Sequence, residues 1–304
     1  MLDVRRLRLL HELKLRGTVT GVAEALAYSP SSVSQQLAAL EREAGVPLLA
    51  KAGRRVQLTA QAEILVEHTA RILDLLDEAQ SDLASSLTTV AGVVRIAVFQ
   101  SAAHAIVPAA LNLLAADYPD LRVEVTEREP ELGLFEVSAR DFDLVIAEQY
   151  PGNTRRLRSN LDRVELASDS IRLATSANPD ARVAARSLEA AAGLPWVMEP
   201  QGTAARTWAV QLCREAGFEP DVRFETADLI AHIRLIASGA AVGILPDLVW
   251  AGGSPSVRLT ALPGTPRRSI FTSARRSSAS RPGVVACREA LARAVAASGS
   301  DLRP

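Results

Sequence analysis

Small polar side chains cluster at the start of one short predicted helix. Ser29 and Pro30 form its expected beginning, because the serine hydroxyl can accept from unpaired backbone N–H groups and proline suits the first helical position. Val33, Leu37 and Leu40 follow a spacing of four and three, which predicts an apolar stripe facing a core. Hydroxyl and amide groups beside that stripe suit contacts with phosphates and base edges, and a solvated surface helix is the alternative. These side chains are Ser31, Ser32, Ser34, Gln35 and Gln36.

Three further segments place polar groups at the ends of predicted strands, namely residues 100–104, 148–150 and 199–203. Ser101 and Thr203 each lie at the start of a predicted helix. A hydroxyl, free backbone N–H groups and a positive helix end together favour a carboxylate or another anion, and plain helix capping is the alternative. Asp228 could cap a helix or bind an amine. The residues expected to contact a small ligand are Ser101, Ala102, Gln149, Gln201, Gly202, Thr203 and Asp228.

His104 is the side chain near Ser101 that raises the question of catalysis. No acid with supporting spacing accompanies this pair, and three residues in one turn rarely form a catalytic triad. His11, His68 and His232 lie in predicted helices without a cysteine or histidine at ligand spacing, and no GxGxxG or phosphate-loop pattern occurs. The sequence therefore predicts no enzyme, no metal site and no cofactor.

The distribution of charge along the chain is more informative than its total. The 304 residues carry a net charge of −1, and they exceed the length that one hydrophobic core usually supports. The first 60 residues hold nine basic and five acidic side chains, a net charge of +4, which leaves −5 for the remainder. A basic head on a mildly acidic body is expected of a DNA-binding module joined to a ligand-binding or partner-binding domain.

Cysteine usage and hydropathy indicate a cytoplasmic protein. Cys213 and Cys287 form no disulfide framework and lack metal-ligand spacing, so we expect them to be small apolar groups in helices in a reducing compartment. Arg5, Arg6 and Arg8 interrupt any signal-peptide core. No stretch approaches the roughly 20 apolar residues needed to span a bilayer. A membrane partner is not expected.

The elements around the polar helix predict a winged helix-turn-helix. Asp3 and Thr18 can cap two preceding helices, and the segment after Pro47, LLAKAGRRVQLT, reads as a two-stranded ribbon. Cations on such a tight turn would lie against the DNA backbone. The alternative interpretation is a hairpin tip that is simply exposed to solvent. The tip holds Lys51, Gly53, Arg54 and Arg55.

A long helix is predicted from Thr59 to about Leu87. Leu65, Ile72 and Ala79 repeat every seven residues, and Leu76 and Leu83 form a second row. A helix of this length needs an apolar partner, which favours a dimer-forming coiled coil over a core helix of the next domain.

From residue 92 onward, strands and helices alternate, which predicts an α/β domain with a largely parallel sheet and binding crevices at the strand carboxyl ends. Residues 100–104 are interpreted as a loop, and VELASDSIRLATS from residue 164 as strands of a second lobe. SLEAAAG is interpreted as a helix. The chain is expected to return to the first lobe through RRSIFTSARR and a final helix.

Residues 1 to about 90 resemble the winged helix-turn-helix and linker helix of LysR-type transcriptional regulators. The resemblance rests on RRLRLLHELKLRGTVTGVAEALAYSPSSVSQQLAALEREAGVPLL, on AGRRVQLT and on AQAEILVEHTARIL, with Leu49, Ala60 and Ala62 departing from the family pattern. The remainder is consistent with the family's two-lobed effector domain, which is similar to periplasmic binding proteins. The division implied is a DNA-binding domain at 1–58, a dimerisation helix at 59–90 and an effector-binding domain at 91–304, with lobe I at 91–161 and 267–304 and lobe II at 162–266.

The resemblance implies a sequence-specific DNA-binding regulator whose partners are double-stranded operator DNA, a small-molecule effector and further copies of the chain in a homodimer or homotetramer. Small residues beside the expected pocket favour a compact amino acid or organic acid as effector. The alternatives are a two-lobed binding or catalytic protein whose N-terminal helices serve only assembly, and a regulator that answers to partner proteins. The expected DNA contacts are Ser29, Ser31, Ser32, Ser34, Gln35, Lys51, Arg54 and Arg55.

Overall fold

Three short helices open the chain. The computed structural model describes residues 1–52, 55–152, 158–178, 181, 183 and 185–297, with the backbone alone at 51, 52 and 55. The described residues form two compact units, made mainly by residues 1–88 and mainly by residues 89–297. In the first unit, the helices are α1 (Val4–Arg16), α2 (Val19–Leu26) and α3 (Pro30–Ala44).

The predicted caps of these helices are confirmed. Asp3, Thr18 and Ser29 each accept hydrogen bonds from backbone N–H groups in the first turn of α1, α2 and α3, which satisfies donors that the helix leaves unpaired. Gly17 and Gly45 end α1 and α3 with φ of 73° and 69°, a left-handed conformation that costs glycine little. Sharp helix ends fix the angle at which α3 leaves the preceding turn.

The apolar stripe of α3 forms the centre of this unit. Val33, Leu37 and Leu40 are fully buried and pack with Leu10 of α1 and Val22 of α2. The burial removes apolar surface from water and holds the opposite side of α3 toward solvent.

The predicted ribbon and long helix are also present. Strand β1 (Leu49–Ala52) pairs antiparallel with β2 (Arg55–Leu58), and Thr59 caps α4 (Ala60–Ser85). Residues Gly53 and Arg54 lie outside the described residues, as do the side chains of Lys51 and Arg55. Several large apolar side chains of α4 are exposed, as expected for a helix that pairs with another copy. They are Ile64, Ile72, Leu75, Leu76 and Leu83.

The second unit begins as a repeated strand–helix pattern. Its first elements are β3 (Gly92–Val98), α5 (Gln100–Ala105), α6 (Val107–Asp117), β4 (Leu121–Glu127), α7 (Pro130–Ser138) and β5 (Leu144–Gln149). Strand β3 lies between β4 and β5 and pairs parallel with both. The predicted loop at 100–104 is wrong, because the backbone becomes helical directly after Phe99.

The remaining elements contribute a second lobe and return to the first. They are β6 (Val164–Thr175), β7 (Pro195–Met198), α8 (Ala204–Glu215), β8 (Asp221–Glu225), α9 (Leu229–Ala237), β9 (Gly243–Pro246), β10 (Arg258–Ala261), β11 (Arg267–Ala274) and α10 (Pro282–Ala297). The predicted helix at SLEAAAG is reduced to one 3₁₀ turn at Glu189–Ala191.

The main sheet is mixed, so the expectation of a largely parallel sheet is wrong. Its order is β10-β6-β11-β5-β3-β4, with β9 also pairing with β6. Strand β11 lies antiparallel between β5 and β6, because the chain returns from the second lobe in the opposite direction. Strand β6 is one continuous 12-residue strand, where separate strands were expected. The α/β class with two lobes is confirmed.

Close packing of α7 on the sheet depends on Gly133. An added Cβ at this position would lie 2.8 Å from Cγ2 of Val145 and 3.4 Å from Cβ of Ala97. We expect Gly133→Ala to destabilise the protein by about 1–3 kcal/mol through overpacking, although alanine favours helix formation by about 1 kcal/mol. Urea unfolding of both variants would measure the effect, with Gly253→Ala as the control because no atom lies within 4 Å of its added Cβ. A Gly133→Ala variant as stable as the wild type would contradict this packing.

Candidate functional site

The exposed side of α3 carries an ordered set of polar groups. The Ser29 hydroxyl accepts from the Ser32 N–H at 3.1 Å and lies 3.0 Å from the Ser31 hydroxyl. The Ser34 hydroxyl donates to the Pro30 carbonyl at 3.0 Å, so its oxygen can still accept a hydrogen bond. The Gln35 side chain is exposed and forms no hydrogen bond with another described residue. This surface can therefore donate and accept hydrogen bonds without breaking the helix.

Two neighbours of these groups differ from the sequence interpretation. Gln36 accepts from Nε of Arg6 at 2.9 Å, so it serves to join α1 and α3 and is the least available amide of the set. Tyr28 is 51% exposed just before the helix start. A large aromatic residue beside a helix N-terminus was the signal that could have added Tyr28 to the predicted contact surface.

The second unit contains a buried arginine, Arg268, in β11. Its guanidinium donates to Oδ2 of Asp169 through Nε at 3.0 Å and through Nη2 at 2.8 Å, and Nη1 donates to Glu148. Nη2 also donates to the Ser101 hydroxyl at 2.8 Å, and the guanidinium carbon lies 5.2 Å from the centre of the Phe99 ring. The network joins β5, β6, β11 and the first turn of α5.

The charges in this network depend on one another. Burial opposes the positive charge of Arg268, but Glu148 and Asp169 raise its pKa above the ordinary value. Burial raises the pKa of Asp169, and Arg268 opposes that rise. Burial and the charge of Glu148 likewise raise the pKa of the Tyr150 hydroxyl, and Arg268 opposes part of that rise. Removing any one of Arg268, Glu148 and Asp169 would leave a buried charge without its full set of partners, so the three groups act together.

A cavity of about 240 Å³ lies over this network. Four glutamates and two arginines line it together with apolar and small groups. The charged residues are Glu127, Arg128, Glu129, Glu148, Glu199 and Arg268. The uncharged ones are Phe99, Gln100, Ser101, Pro130, Ala227, Leu229 and Pro246. Residues of both lobes therefore face one crevice.

Glu199 has an unusual protonation state in this cavity. Burial, then the charges of Glu148 and Glu129, raise its pKa to about 8, and Arg268 offsets only part of that rise. The Glu199 carboxyl is therefore mainly protonated at neutral pH in the free protein.

The predicted ligand contacts are distributed unevenly around this cavity. Ser101 lines it, whereas the other six predicted contacts do not. Ala102 is fully buried, and the Gln149 side chain accepts from Arg163. Gln201 and Gly202 are exposed in the turn before α8.

Two of the six are helix caps. Thr203 accepts from the Arg206 N–H at 3.2 Å and donates to the Pro200 carbonyl at 3.0 Å. Asp228 accepts from the Ile230 N–H at 2.9 Å.

The structure also weakens the argument that Ser101 binds an anion. Helix α5 has six residues, so its dipole is short, and the Ser101 hydroxyl already accepts from Arg268. Sequence reasoning placed Glu148 and Glu199 in segments facing the crevice without selecting either as a ligand contact, and it missed Arg268 and Asp169. An arginine within an apolar strand was the available signal, because such a charge needs buried carboxylates nearby.

The described part of the chain offers little support for catalysis at His104 or for a metal site. His104 is exposed, and no group of three or more His, Cys, Asp or Glu side chains there could hold a metal ion. Cys213 and Cys287 are buried free thiols in α8 and α10, as expected. None of the described helices has the length and apolar character required to cross a membrane.

Comparison with known families agrees with both units. The family described as "Bacterial regulatory helix-turn-helix protein, lysR family" matches residues 4–63, and the "LysR substrate binding domain" family matches residues 87–296. The chain belongs to the LysR family of transcriptional regulators, with a DNA-binding helix-turn-helix and an effector-binding substrate domain.

Individual relatives are distant but cover most of the chain. The transcriptional dual regulator GltC of Bacillus subtilis (strain 168) is 27% identical over 255 residues, covering 84% of each chain. Full-length OxyR from Pseudomonas aeruginosa is similar in structure, with a TM-score of 0.66, 17% identity and coverage of 96% of this chain and 95% of that one. Full-length BenM gives a TM-score of 0.56 at 18% identity, covering all of both chains. At these identities the structural likeness supports the fold.

The buried network predicts a large cost for losing its arginine. We expect Arg268→Met to lower the free energy of unfolding by about 3–5 kcal/mol, because Glu148 and Asp169 would remain buried without a cation. Arg223→Met is the matched control: its side chain is exposed and pairs with Asp221 at 2.7 Å, so a loss below about 1 kcal/mol is expected. Similar losses for both variants in urea unfolding would show that the buried network is not stabilising.

The raised pKa of Glu199 predicts that replacing its carboxyl group by a neutral amide increases the stability of the protein, by an amount that depends on pH. Between the ordinary carboxyl pKa and about 8, the unfolded chain ionises Glu199 while the folded chain keeps it protonated, so this group lowers stability as pH rises. Glu199→Gln should therefore raise the Tm, with a gain that grows from pH 5 to pH 8 and is constant above it. Scanning calorimetry across this range would test the idea, and a pH-independent gain would refute it.

Proposed function

We propose that the exposed N-terminal half of α3 reads operator DNA in the major groove. The observation that carries this proposal is the position of Ser31, Ser34 and Gln35 on the exposed side of α3, opposite the buried stripe. Such hydroxyl and amide groups can contact several base edges, and Ser29 and Ser32 lie where phosphates approach a helix N-terminus. The cations Lys51, Arg54 and Arg55, chosen from the sequence, would add phosphate contacts.

The protein acts as an assembly of copies in this proposal. Exposed Leu75 and Leu83 on α4 support pairing of this helix with the same helix of another copy, because water disfavours such an apolar surface. A dimer would place two α3 helices on the half-sites of a partly palindromic operator, and two dimers would form a tetramer. The corresponding division is 1–58 for DNA binding, 59–90 for dimerisation and 91–304 for effector binding.

The ligand cavity supplies the regulatory signal. Ser101 and Glu148 come from the first lobe and Glu199 from the second, so a molecule held by all three would change the separation of the lobes. An effector shifts the regulator between DNA-binding states only if its affinity for those states differs. GltC is described as a dual regulator, and we propose the same class of activity here, in the cytoplasm and without catalysis.

The α3 proposal predicts a loss of operator affinity on removing single polar groups. Ser34→Ala or Gln35→Ala should each weaken binding by about 1–3 kcal/mol if the side chain contacts a base, with little effect on binding to unrelated DNA. Operator DNA would come from the region flanking the gene, and affinity would be measured by fluorescence anisotropy at several salt concentrations.

The control is Gln211→Ala, which removes an exposed amide from α8 in the second unit. Equal operator affinity for all three variants and the wild type would reject α3 as the base-reading element. Absence of any specific binding by the wild type would instead favour a two-lobed binding protein whose N-terminal helices serve assembly.

A further inference from the structure

The lining of the effector cavity has an excess of negative charge. We propose that the molecule recognised there is a small organic cation, an amine or guanidinium compound, and not the carboxylate expected from the sequence. This inference rests on the proposed role of the cavity as the effector site. Three observations support it. Arg128 and Arg268 are already paired with groups of the protein, Glu199 forms no ion pair among the described residues, and part of the lining is apolar.

Most of the N–H donors of the buried arginine already have acceptors within the protein. Arg268 has five N–H donors, and its three nitrogens already donate to Asp169, Glu148 and Ser101. Its single positive charge is opposed by two carboxylates, so the network has a formal charge of −1 with both ionised. An incoming carboxylate would meet this negative charge at low dielectric, where repulsion is strong.

The second arginine of the lining is also paired. Nε of Arg128 donates to Glu136 at 3.0 Å, and its Nη1 donates to the Glu127 carbonyl at 2.9 Å. An anion that approached Arg128 would compete with this ion pair within the same lobe.

Glu199 supplies the attractive group. Among the residues that the structure describes, it forms no ion pair with an arginine or lysine, and its desolvated carboxyl group faces Glu148 and Glu129. Burial is the largest cause of the raised pKa of about 8, and the charges of Glu148 and Glu129 add to it. An ammonium group placed between them would remove the repulsion and allow Glu199 to ionise.

The cavity fits an organic cation better than a metal ion. The described carboxylates do not form a cluster that could hold a metal, and Ca²⁺ requires about six to eight oxygen ligands. Apolar side chains such as Phe99 and Leu229 can instead contact a short hydrocarbon chain, and the Phe99 ring can also attract a cation. At roughly 30 Å³ for each water-sized group, the volume suits a ligand of about six to ten non-hydrogen atoms.

Three four-carbon compounds that differ in charge would test the proposal. They are putrescine, 1,4-butanediol and succinate, which carry two positive charges, no charge and two negative charges at neutral pH. Isothermal titration calorimetry with the full-length protein should give putrescine an affinity at least tenfold above that of the other two, because charge-assisted hydrogen bonds are the stronger ones. Succinate binding equal to or tighter than that of putrescine would overturn the proposal, and so would the absence of putrescine binding at millimolar concentrations.

Two variants locate the binding within the cavity. Glu199→Gln should weaken putrescine binding about tenfold, whereas Glu215→Gln, an equal change of charge at an exposed site on α8, should leave it unchanged. Circular dichroism would show that both variants are folded. Equal weakening by both variants, or by neither, would overturn the assignment of Glu199.

Proton release provides a second measurement. Putrescine binding near pH 7 should expel a proton from Glu199, so the observed enthalpy should depend on the ionisation enthalpy of the buffer, and affinity should rise toward pH 8. The groups facing Glu199 are Glu148 of β5, Glu129 before α7 and Arg268 of β11, and removing Glu199 should abolish most of this dependence. A buffer-independent enthalpy in the wild-type protein would contradict the proposal.

Operator binding separates this inference from the proposed function. If succinate binds and changes operator affinity, the regulator proposal stands and the cation proposal fails. If putrescine binds without changing operator affinity, the cation site stands and its regulatory role fails.

Discussion

The second unit depends on one buried guanidinium and its two carboxylates. An arginine that is 2% exposed is tolerated only with nearly complete pairing, because the desolvation of an unpaired charge costs several kcal/mol. Arg268 meets this requirement with Asp169 on one neighbouring strand and Glu148 on the other, and with Ser101 beyond the end of β3. The position of β11 between β5 and β6 brings these groups together, so the mixed sheet and the charge network require each other.

The same network lies where β6 changes partners. Strand β6 pairs with β11 over residues 164–170, and with β9 and β10 over residues 171–175. Asp169 therefore lies just before the strand passes from one set of neighbours to the other, and its second oxygen accepts from the Leu248 N–H at 3.1 Å. A ligand that altered the charge balance above Arg268 would act close to this junction, where small changes in strand geometry reach both lobes.

Local rules were sufficient for much of the fold. Caps at Asp3, Thr18 and Ser29, the stripe on α3 and the course of α4 follow from interactions within a few residues of each other, which a sequence displays directly. The direction of β11 and its insertion beside β5 could not be predicted this way, because the alternation of strands and helices does not specify which strand is the neighbour. The contact between Ser101 and Arg268 spans 167 positions, and no local pattern indicates it.

That long-range contact also explains why the chemistry of the cavity differed from the sequence interpretation. A hydroxyl at a helix start favours an anion when its neighbours are unsatisfied donors, yet Ser101 lies beside an arginine whose charge is already balanced by carboxylates. The charge available to a ligand is therefore that of the groups not already neutralised by pairing within the protein. In this cavity the remainder includes Glu199, a carboxyl group whose pKa is raised mainly by burial and further by the neighbouring glutamates.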